Sequence, residues 1–320
     1  SQVLLILKKF SCRTKEELYQ QIFEYPFEKF LSLNNTFAFQ AVCQQSALDH
    51  SHFIELTAKD ALADRFRERF SKRPNVDAKS PDFEFFIRVY RNQVILAFNT
   101  SGEKLHKRGL GKQPAFTSLK ESLAAGVIQH SNPDFGRMIL DPMCGSGTFL
   151  TEAALIASHY APGLLRKNFA FMKIKDFDEK IWEKVLLDSK SKIHIPSNLR
   201  IVGTDISPNA LQVAKRNIQK HPLAKYIELK KMDFFASNSP EAQGTIFMDP
   251  PYGEKTQDSS LLSDFYKRIG NTLKQQYKGW TANIIASDLS LIHNIGLKSD
   301  HRVQLYNSAL KIYLMKYSMY

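Results

Sequence analysis

Residues 246–255, IFMDPPYGEK, place an acid, two prolines and an aromatic residue directly after a short apolar run. An exocyclic amine on a nucleobase is a weak nucleophile, because its lone pair is delocalised into the ring. Asp249 and a nearby main-chain carbonyl can accept the two N–H bonds of such an amine, and Pro250 and Pro251 fix that carbonyl without adding a donor. Tyr252 can stack on the base. The pattern predicts a site that holds a base amino group; a rigid turn is the structural alternative.

Residues 141–148, DPMCGSGT, lie between a predicted strand and a predicted helix. Their glycines let the backbone approach a ligand, and a helix N-terminus favours an anionic group. The stretch lacks the Lys-Ser/Thr ending of a Walker loop, and Leu150 stands where a dinucleotide fingerprint has a third small residue. Asp141 suits an ammonium group and repels a phosphate. These features favour the amino-acid end of S-adenosylmethionine, with a structural turn as the alternative.

Two further acids follow later apolar runs. Asp205 ends the run IVGTD, where a carboxylate can accept hydrogen bonds from both hydroxyls of a ribose. Asp233 could reach the exocyclic amine of an adenine ring. The alternatives are a helix cap for Asp205 and a turn or cap for Asp233. Cys144 has no base assigned to it, so a small residue packed beside the loop is favoured over a nucleophile.

A parallel sheet would bring these acids together. From residue 118 onward, short apolar runs alternate with helical runs, which predicts a doubly wound α/β domain with a mostly parallel sheet. In such sheets ligands bind beyond the carboxyl ends of the strands. The last twenty residues contain two strand-like runs around Asn307 and Ser308, which predict an antiparallel hairpin at the end of the sheet.

The first hundred residues have a different pattern. Residues 36–44 alternate with period two, residues 52–70 predict an amphipathic helix, and a turn at Arg91 and Asn92 predicts a hairpin. We therefore expect a small α+β module over residues 1–100. Because the chain opens on an apolar run without Met, we also expect an earlier segment to be missing from this module.

A glycine-rich, basic stretch over residues 101–117 predicts a linker ahead of a second domain at 118–320. Its cations are candidates for contact with a phosphate backbone, together with two arginines of the first module; a solvated face is the alternative. The candidates are Lys104, Lys107, Arg108, Lys112, Arg69 and Arg73.

The overall charge favours a polyanionic partner, because 44 Lys and Arg against 32 Asp and Glu leave a net charge of +12. The 3 cysteines have neither a disulfide framework nor a paired zinc spacing, and we expect no metal site. No run is long and apolar enough for a membrane helix, and no signal peptide is evident, so we expect a cytoplasmic protein without a membrane partner.

The three motifs DPMCGSGT, GTDISPNALQVAKRN and MDPPYGEK, in this order, resemble those of amino methyltransferases that use S-adenosylmethionine. FSKRPNVD, SGEKLHKRG, SLKESLAAGVI and YNSAL extend the resemblance to the THUMP-containing RNA methylases, specifically the RlmL-type 23S rRNA guanine-N2 methyltransferases. The resemblance covers nearly the whole chain. It implies a THUMP or ferredoxin-like RNA-binding region over 1–100 and a Rossmann-like methyltransferase domain over 118–320.

The resemblance also implies the roles of the site residues. Asp249, Pro250, Pro251 and Tyr252 would receive the base. The implied cofactor-binding residues are Asp141, Pro142, Cys144, Gly145, Gly147, Thr148, Asp205, Ile206, Asp233 and Phe234.

The implied reaction is methyl transfer to N2 of a guanosine in 23S rRNA. The alternatives are N2 methylation of tRNA, N6 methylation of adenine in RNA or DNA, and an RNA-binding protein with an inactive methylase domain. The tRNA alternative rests on Asp249, because the rRNA relatives more often have Asn there.

Overall fold

The computed structural model describes residues 1–110, 119–251 and 259–320, without the side chain of Ser259. Tyr252 and Lys112 therefore lie outside the described residues. The chain divides into two compact units: Ser1–Leu105 with Lys167–Glu183, and His106–Arg166 with Lys184–Tyr320. The boundary between the two units, after Leu105, lies within the stretch 101–117 that was predicted as a linker. The segment 167–183 differs from the prediction, because it belongs to the first unit and not to the domain predicted over 118–320.

The first unit is an α+β module. Its helices are α1 (Lys15–Phe23) and α2 (Ser51–Phe70), and its strands are β1 (Leu4–Ser11), β2 (Thr36–Gln44), β3 (Asn75–Val76), β4 (Phe83–Tyr90) and β5 (Gln93–Asn99). The strands form one sheet in the order β1-β5-β4-β2-β3. β4 and β5 pair as the predicted hairpin around Arg91 and Asn92, both of which have positive φ.

Helix α2 confirms the predicted amphipathic pattern. Ile54, Ala58 and Phe66 on its apolar face are almost completely buried, in a core that includes phenylalanines from β2, β4 and β5. The segment 167–183 joins this unit because Ala170 belongs to the same core and Lys173 pairs with Asp82 at 2.5 Å.

The second unit is a doubly wound α/β domain. Its helices are α3 (Glu121–Ser131), α4 (Thr148–Ala157), α5 (Glu179–Ser191, which begins in the first unit), α6 (Pro208–Gln219), α7 (Ser259–Gln276) and α8 (Leu289–Asn294). Its strands are β6 (Met138–Asp141), β7 (Ile201–Asp205), β8 (Ile227–Lys231), β9 (Gly244–Met248), β10 (Thr281–Ala286), β11 (His301–Asn307) and β12 (Leu310–Ser318).

Across the described residues, the sheet of this unit has the order β11-β12-β10-β9-β6-β7-β8. β8, β7, β6, β9 and β10 pair in parallel, while β12 pairs antiparallel with both β10 and β11. The mostly parallel sheet and the antiparallel hairpin at its end are therefore confirmed. Strand order reverses at β6, because the chain first continues outward to β7 and β8 and then returns to β9 on the other side.

This reversal opens a crevice at the carboxyl ends of β6, β7 and β9, where ligands bind in folds of this class. Two apolar cores cover the two faces of the sheet: one contains α3, α4 and α6, and the other contains α7 and α8. In the described part of the chain, no helix combines the length and the apolar character needed to cross a membrane.

Candidate active site at the carboxyl ends of β6, β7 and β9

Sheet register brings three of the predicted acids to one edge. Asp141 is the last residue of β6 and pairs with Gly203, two residues before Asp205 at the end of β7. On the other side of β6, Leu140 pairs with Ile246 of β9, three residues before Asp249. The acids therefore follow adjacent strands on both sides of the point where the strand order reverses.

The loop between β6 and α4 is tied to the end of β7 by hydrogen bonds. The amide of Gly145 donates to Oδ2 of Asp205 at 3.0 Å, and the amide of Cys144 donates to the carbonyl of Thr204 at 3.0 Å. Thr204 Oγ1 also donates to the carbonyl of Pro142 at 3.3 Å. Asp205 thus organises the loop and its own turn, because its Oδ1 accepts from the amide of Ser207 at 2.9 Å.

Asp205 is not itself the cap of the next helix. Ser207 is the N-cap of α6, and its hydroxyl accepts from the amide of Ala210. Each carboxylate oxygen can accept more than one hydrogen bond, so Asp205 has the capacity to accept further donors such as ribose hydroxyls.

The loop conformation requires glycine and leaves space beside it. Gly145 and Gly147 have φ of 51° and 80°, in the left-handed region that favours glycine. A Cβ on Gly145 would meet no heavy atom closer than the carbonyl oxygen of Met143 at 4.0 Å. Gly147 precedes Thr148, the first residue of α4, so the loop delivers a helix N-terminus to this edge of the sheet. The arrangement fits a ligand that approaches the backbone closely.

Asp141 is a buried acid in an acidic environment. Its side chain is 3% exposed, and the amide of Met143 donates to its Oδ1 at 3.2 Å. Burial raises the pKa of Asp141 well above its ordinary value, and the nearby carboxylates Asp249 and Asp205 raise it further. A cation bound at this edge would stabilise the ionised form of these carboxylates. The edge therefore suits an ammonium group, which binds to negatively charged partners.

Cys144 is packed beside the same loop. Burial, followed by the charges of Asp141 and Asp205, raises the pKa of its thiol. A thiol with a raised pKa is a poor nucleophile at neutral pH, so the packed position favoured by the sequence agrees with its environment.

Asp249 follows β9 and is poised to titrate near neutrality. Burial raises the pKa of Asp249 to about 7 from an ordinary value of 3.8. Pro250 is buried and Pro251 is exposed. The aromatic residue predicted to stack on the base, Tyr252, lies outside the described residues.

Sequence patterns did not reveal a tyrosine close to Asp249. Tyr266 of α7 is fully buried in the core that also contains Met248, and its hydroxyl has no hydrogen-bond partner within the described residues. Burial, followed by the charge of Asp249, raises the pKa of this phenol, which places the two groups within electrostatic reach. Helical periodicity cannot indicate which strand end a phenol meets, so the sequence assigned no role to Tyr266.

The other predicted cofactor contacts have mixed environments. Asp233 is the N-cap of a short 3-10 segment, and its Oδ1 accepts from the amide of Phe235 at 2.9 Å, which supports the cap alternative. Ile206, beside Asp205, is 63% exposed and offers an apolar surface. Phe234 lies inside the core, since it is 2% exposed and its ring packs on Tyr277 with centroids 5.6 Å apart; its cofactor contact stays a prediction.

The residues predicted to contact RNA differ in exposure and in ion pairing. Lys104, Lys107 and Arg73 are exposed. Arg69 is exposed but pairs with Glu28 at 2.6 Å.

Arg108 corrects the prediction of a phosphate contact. Its guanidinium forms two hydrogen bonds to Glu152 of α4, at 3.0 and 2.7 Å, and the two side chains are 14% and 2% exposed. A buried bidentate pair of this kind anchors the N-terminal part of the second unit to α4 and leaves the guanidinium engaged.

Two further residues that support the site were not predicted. A Cβ on Gly203 would lie 2.3 Å from Cδ1 of Leu150, so only glycine lets α4 approach β7. Asn217 of α6 is buried and donates to the carbonyl of Ser146, in the loop between β6 and α4, at 3.1 Å. Gly203 is the first residue of the motif GTDISPNALQVAKRN, so the motif could have indicated it. Asn217 could not be distinguished in the sequence from other polar residues of a helix.

Comparison with known proteins decides the family. The model of the family described as "RMKL-like, methyltransferase domain" matches residues 108–316, and the model of the THUMP domain matches residues 12–99. The chain belongs to the RMKL-like methyltransferase family. The predicted THUMP module and the Rossmann-like methyltransferase domain are therefore confirmed.

Among the relatives of this RMKL-like chain is slr0064 of Synechocystis sp., provisionally named an RNA methyltransferase, which is 31% identical over all of this chain and 83% of its own length. The ribosomal RNA large subunit methyltransferase K/L of Shewanella amazonensis is 32% identical over all of this chain and 46% of its own length. The chain thus spans about half the length of that relative. The crystal structure of SMU.472, a provisionally named methyltransferase in complex with SAH, has a TM-score of 0.88 at 28% identity, covering all of this chain and 84% of the other.

Proposed function

We propose that the protein transfers a methyl group from S-adenosylmethionine to N2 of a guanosine in large-subunit ribosomal RNA. The observation that carries this proposal is the position of Asp249, a carboxylate after β9 that adjoins the acids at the ends of β6 and β7. The relatives named as RNA and large-subunit rRNA methyltransferases support RNA as the substrate.

The cofactor is S-adenosylmethionine, in agreement with the family and with the SAH complex of SMU.472. The residues present fit it: Asp141 suits the ammonium group, Asp205 suits the ribose, and the open space beside Gly145 admits the amino-acid part. When bound, this cofactor supplies an electrophilic methyl group on a sulfonium.

The protein's own contribution is to hold the amine in place. The ionised carboxylate of Asp249 accepts one N–H of the exocyclic amine, and a main-chain carbonyl fixed by the prolines accepts the other. This geometry turns the nitrogen lone pair out of conjugation with the ring and toward the cofactor side of the crevice. Positioning and electrostatics of this kind account for most of the rate in reactions with a preformed electrophile.

The net charge of the protein suits a ribonucleic acid partner, and the first unit is the THUMP region that would bind it. In this proposal the exposed cations Lys104, Lys107 and Arg73 contact phosphates. Arg108 is left out of that set, because it is engaged by Glu152.

The proposal is tested by incubating the protein with methyl-labelled S-adenosylmethionine and RNA from cells that lack the gene, followed by nucleoside mass spectrometry of separated 23S and tRNA fractions. We expect labelled N2-methylguanosine in the 23S fraction. Label in tRNA would contradict the rRNA assignment, and labelled N6-methyladenosine would contradict guanine as the base. Asp249→Ala serves as the negative control, since it removes both acceptor oxygens of the side chain.

A further inference from the structure

A second concave site lies in the methyltransferase unit, on the face of the sheet covered by α3. It is nearer the amino end of β10 than the carboxyl end, where the proposed reaction takes place. The cavity has a volume of about 190 Å³, room for more than one water molecule. Its walls are formed by His130, Ser131, Asn283, His301, Leu314 and Lys316.

Strand register builds one wall of this cavity as a polar row. His301 of β11 pairs with Lys316 of β12, and Lys316 pairs with Asn283 of β10. Three cross-strand neighbours therefore lie side by side on the face of the sheet. The last turn of α3 adds Ser131 and His130, and the ring of His130 stacks on that of His301 with centroids 5.3 Å apart.

Two of the residues that line this cavity carry buried polar atoms with no hydrogen-bond partner among the described residues. Asn283 is 0% exposed; its Nδ2 donates to the carbonyl of Ile246 at 3.3 Å, while its Oδ1 is unpartnered. Ser131 is 5% exposed, and its hydroxyl is also unpartnered. Unsatisfied buried groups are rare in folded proteins and costly, so two of them in one cavity indicate a bound group that satisfies them.

The chemistry of the walls specifies that group. Lys316 carries a positive charge, and its Nζ lies 3.4 Å from the carbonyl of Ser131 at the end of α3. Two imidazoles add N–H donors, and none of the six wall residues is acidic, which favours an oxyanion. Oδ1 of Asn283 can only accept, so a ligand that reaches it must present a donor, which on an oxyanion is a hydroxyl.

We propose that this cavity binds a phosphate group that carries or adjoins a hydroxyl. Two sources share this chemistry: free hydrogen phosphate, through its P–OH, and the ribonucleotide backbone, through its 2′-hydroxyl beside a phosphodiester. The site is independent of the methyl-transfer reaction proposed above, and it is tested by binding alone.

The test is calorimetric titration of the full chain with inorganic phosphate. We expect saturable binding that is about tenfold weaker in Lys316→Gln, which removes the charge-assisted contact. Lys311→Gln is the matched control, since it removes an exposed lysine from the same strand and should leave binding unchanged. The absence of saturable binding, or equal binding by Lys316→Gln, would overturn the proposal and leave a cavity filled by water.

Selectivity tests the role of Asn283. Sulfate resembles phosphate in size and charge but has no hydroxyl at neutral pH, so it cannot donate to Oδ1. We expect sulfate to bind about tenfold more weakly than phosphate. Equal affinity for the two anions would overturn the hydroxyl-bearing ligand class. The comparison uses the unaltered protein and is therefore independent of whether an Asn283 variant folds.

A competition experiment identifies whether the phosphate belongs to RNA or is free. A short ribo-oligonucleotide and its deoxyribo counterpart are titrated against the phosphate-bound protein. Displacement of phosphate by the ribo-oligonucleotide, but not by the deoxyribo one, supports the RNA backbone as the ligand. Phosphate binding without displacement by either oligonucleotide supports free phosphate or a phosphomonoester.

Discussion

The protonation of Asp249 should control the rate of methyl transfer near neutral pH. Burial raises the pKa of this carboxyl to about 7, and the ionised form is the stronger acceptor for an N–H of the substrate amine. With that pKa, the ionised fraction is roughly a tenth at pH 6, half at pH 7 and nine tenths at pH 8. We therefore expect kcat/KM to rise about fivefold from pH 6 to pH 7 and about twofold more to pH 8.

The assay is the initial rate of labelled-methyl transfer to unmethylated RNA at subsaturating RNA, across this pH range. Asp249→Asn should lose the pH dependence, because its amide does not titrate and its carbonyl oxygen can accept an N–H at every pH. Asp288→Asn changes an exposed aspartate that follows the neighbouring strand β10, and it should keep the shape of the wild-type profile. A wild-type rate that does not change between pH 6 and pH 8 would refute the reasoning.

The same burial should make Asp249 a cost to stability. Its pKa is higher in the folded protein than the ordinary 3.8, so both states are protonated below about pH 4 and the carboxyl then costs nothing. As pH rises toward 7, ionisation favours the unfolded chain and stability falls. The full shift of about three units corresponds to about 4 kcal/mol, and partial exposure of the side chain reduces the expected effect to roughly 1 to 3 kcal/mol.

Asp249→Asn should therefore raise the thermal midpoint at about pH 8 and leave it nearly unchanged at about pH 4. Thermal unfolding of both proteins at the two pH values measures this difference. A variant that is less stable than wild type at pH 8 would contradict a destabilising carboxylate.

The remaining predictions concern the supports of the site and the RNA contacts. Tyr266→Phe should lower kcat several-fold, because it removes a hydroxyl near the carboxylate proposed to bind the base. Tyr317→Phe removes another buried hydroxyl without a partner among the described residues, and it should leave the rate unchanged. Equal rates for both variants would rule out a role of Tyr266 in transfer. Asp205→Ala should weaken cofactor binding at least about tenfold by calorimetry, since it removes acceptors of two loop hydrogen bonds; unchanged binding would remove it from the cofactor site. Lys107→Gln should weaken RNA binding and reduce its salt slope by about one, whereas Arg108→Met should keep the slope and lower the free energy of unfolding by roughly 3 kcal/mol. A reduced salt slope for Arg108→Met together with an unchanged slope for Lys107→Gln would indicate that Arg108 contacts a phosphate and Lys107 does not.

The fold could be predicted from the sequence because its periodic signals agree with one another. Strands that end in acids, such as β6 at Asp141 and β7 at Asp205, alternate with helices that begin at Thr148 and Pro208. This pattern fixes a parallel sheet, and parallel strands bring their carboxyl ends to one edge. The grouping of the three acids at that edge could therefore be predicted from the sequence alone.

Contacts between distant side chains could not be predicted in the same way. Arg108 lies in a basic, glycine-rich stretch and resembled a phosphate contact, yet tertiary packing places it against Glu152. Phe234 follows a site acid, and the sequence did not indicate that its ring packs inside the core. The grouping of residues 167–183 with the first unit likewise depends on Ala170 and Lys173 finding partners far away in the sequence.

We propose that the acids at the ends of β6 and β7 bind the cofactor and that Asp249 binds the base. Calorimetric binding of S-adenosylmethionine to Asp249→Ala, combined with single-turnover methyl transfer by the same protein, tests this division directly. We expect a cofactor dissociation constant within about threefold of wild type, and transfer slowed by at least about a thousandfold. Weakened cofactor binding with retained single-turnover transfer would contradict this division.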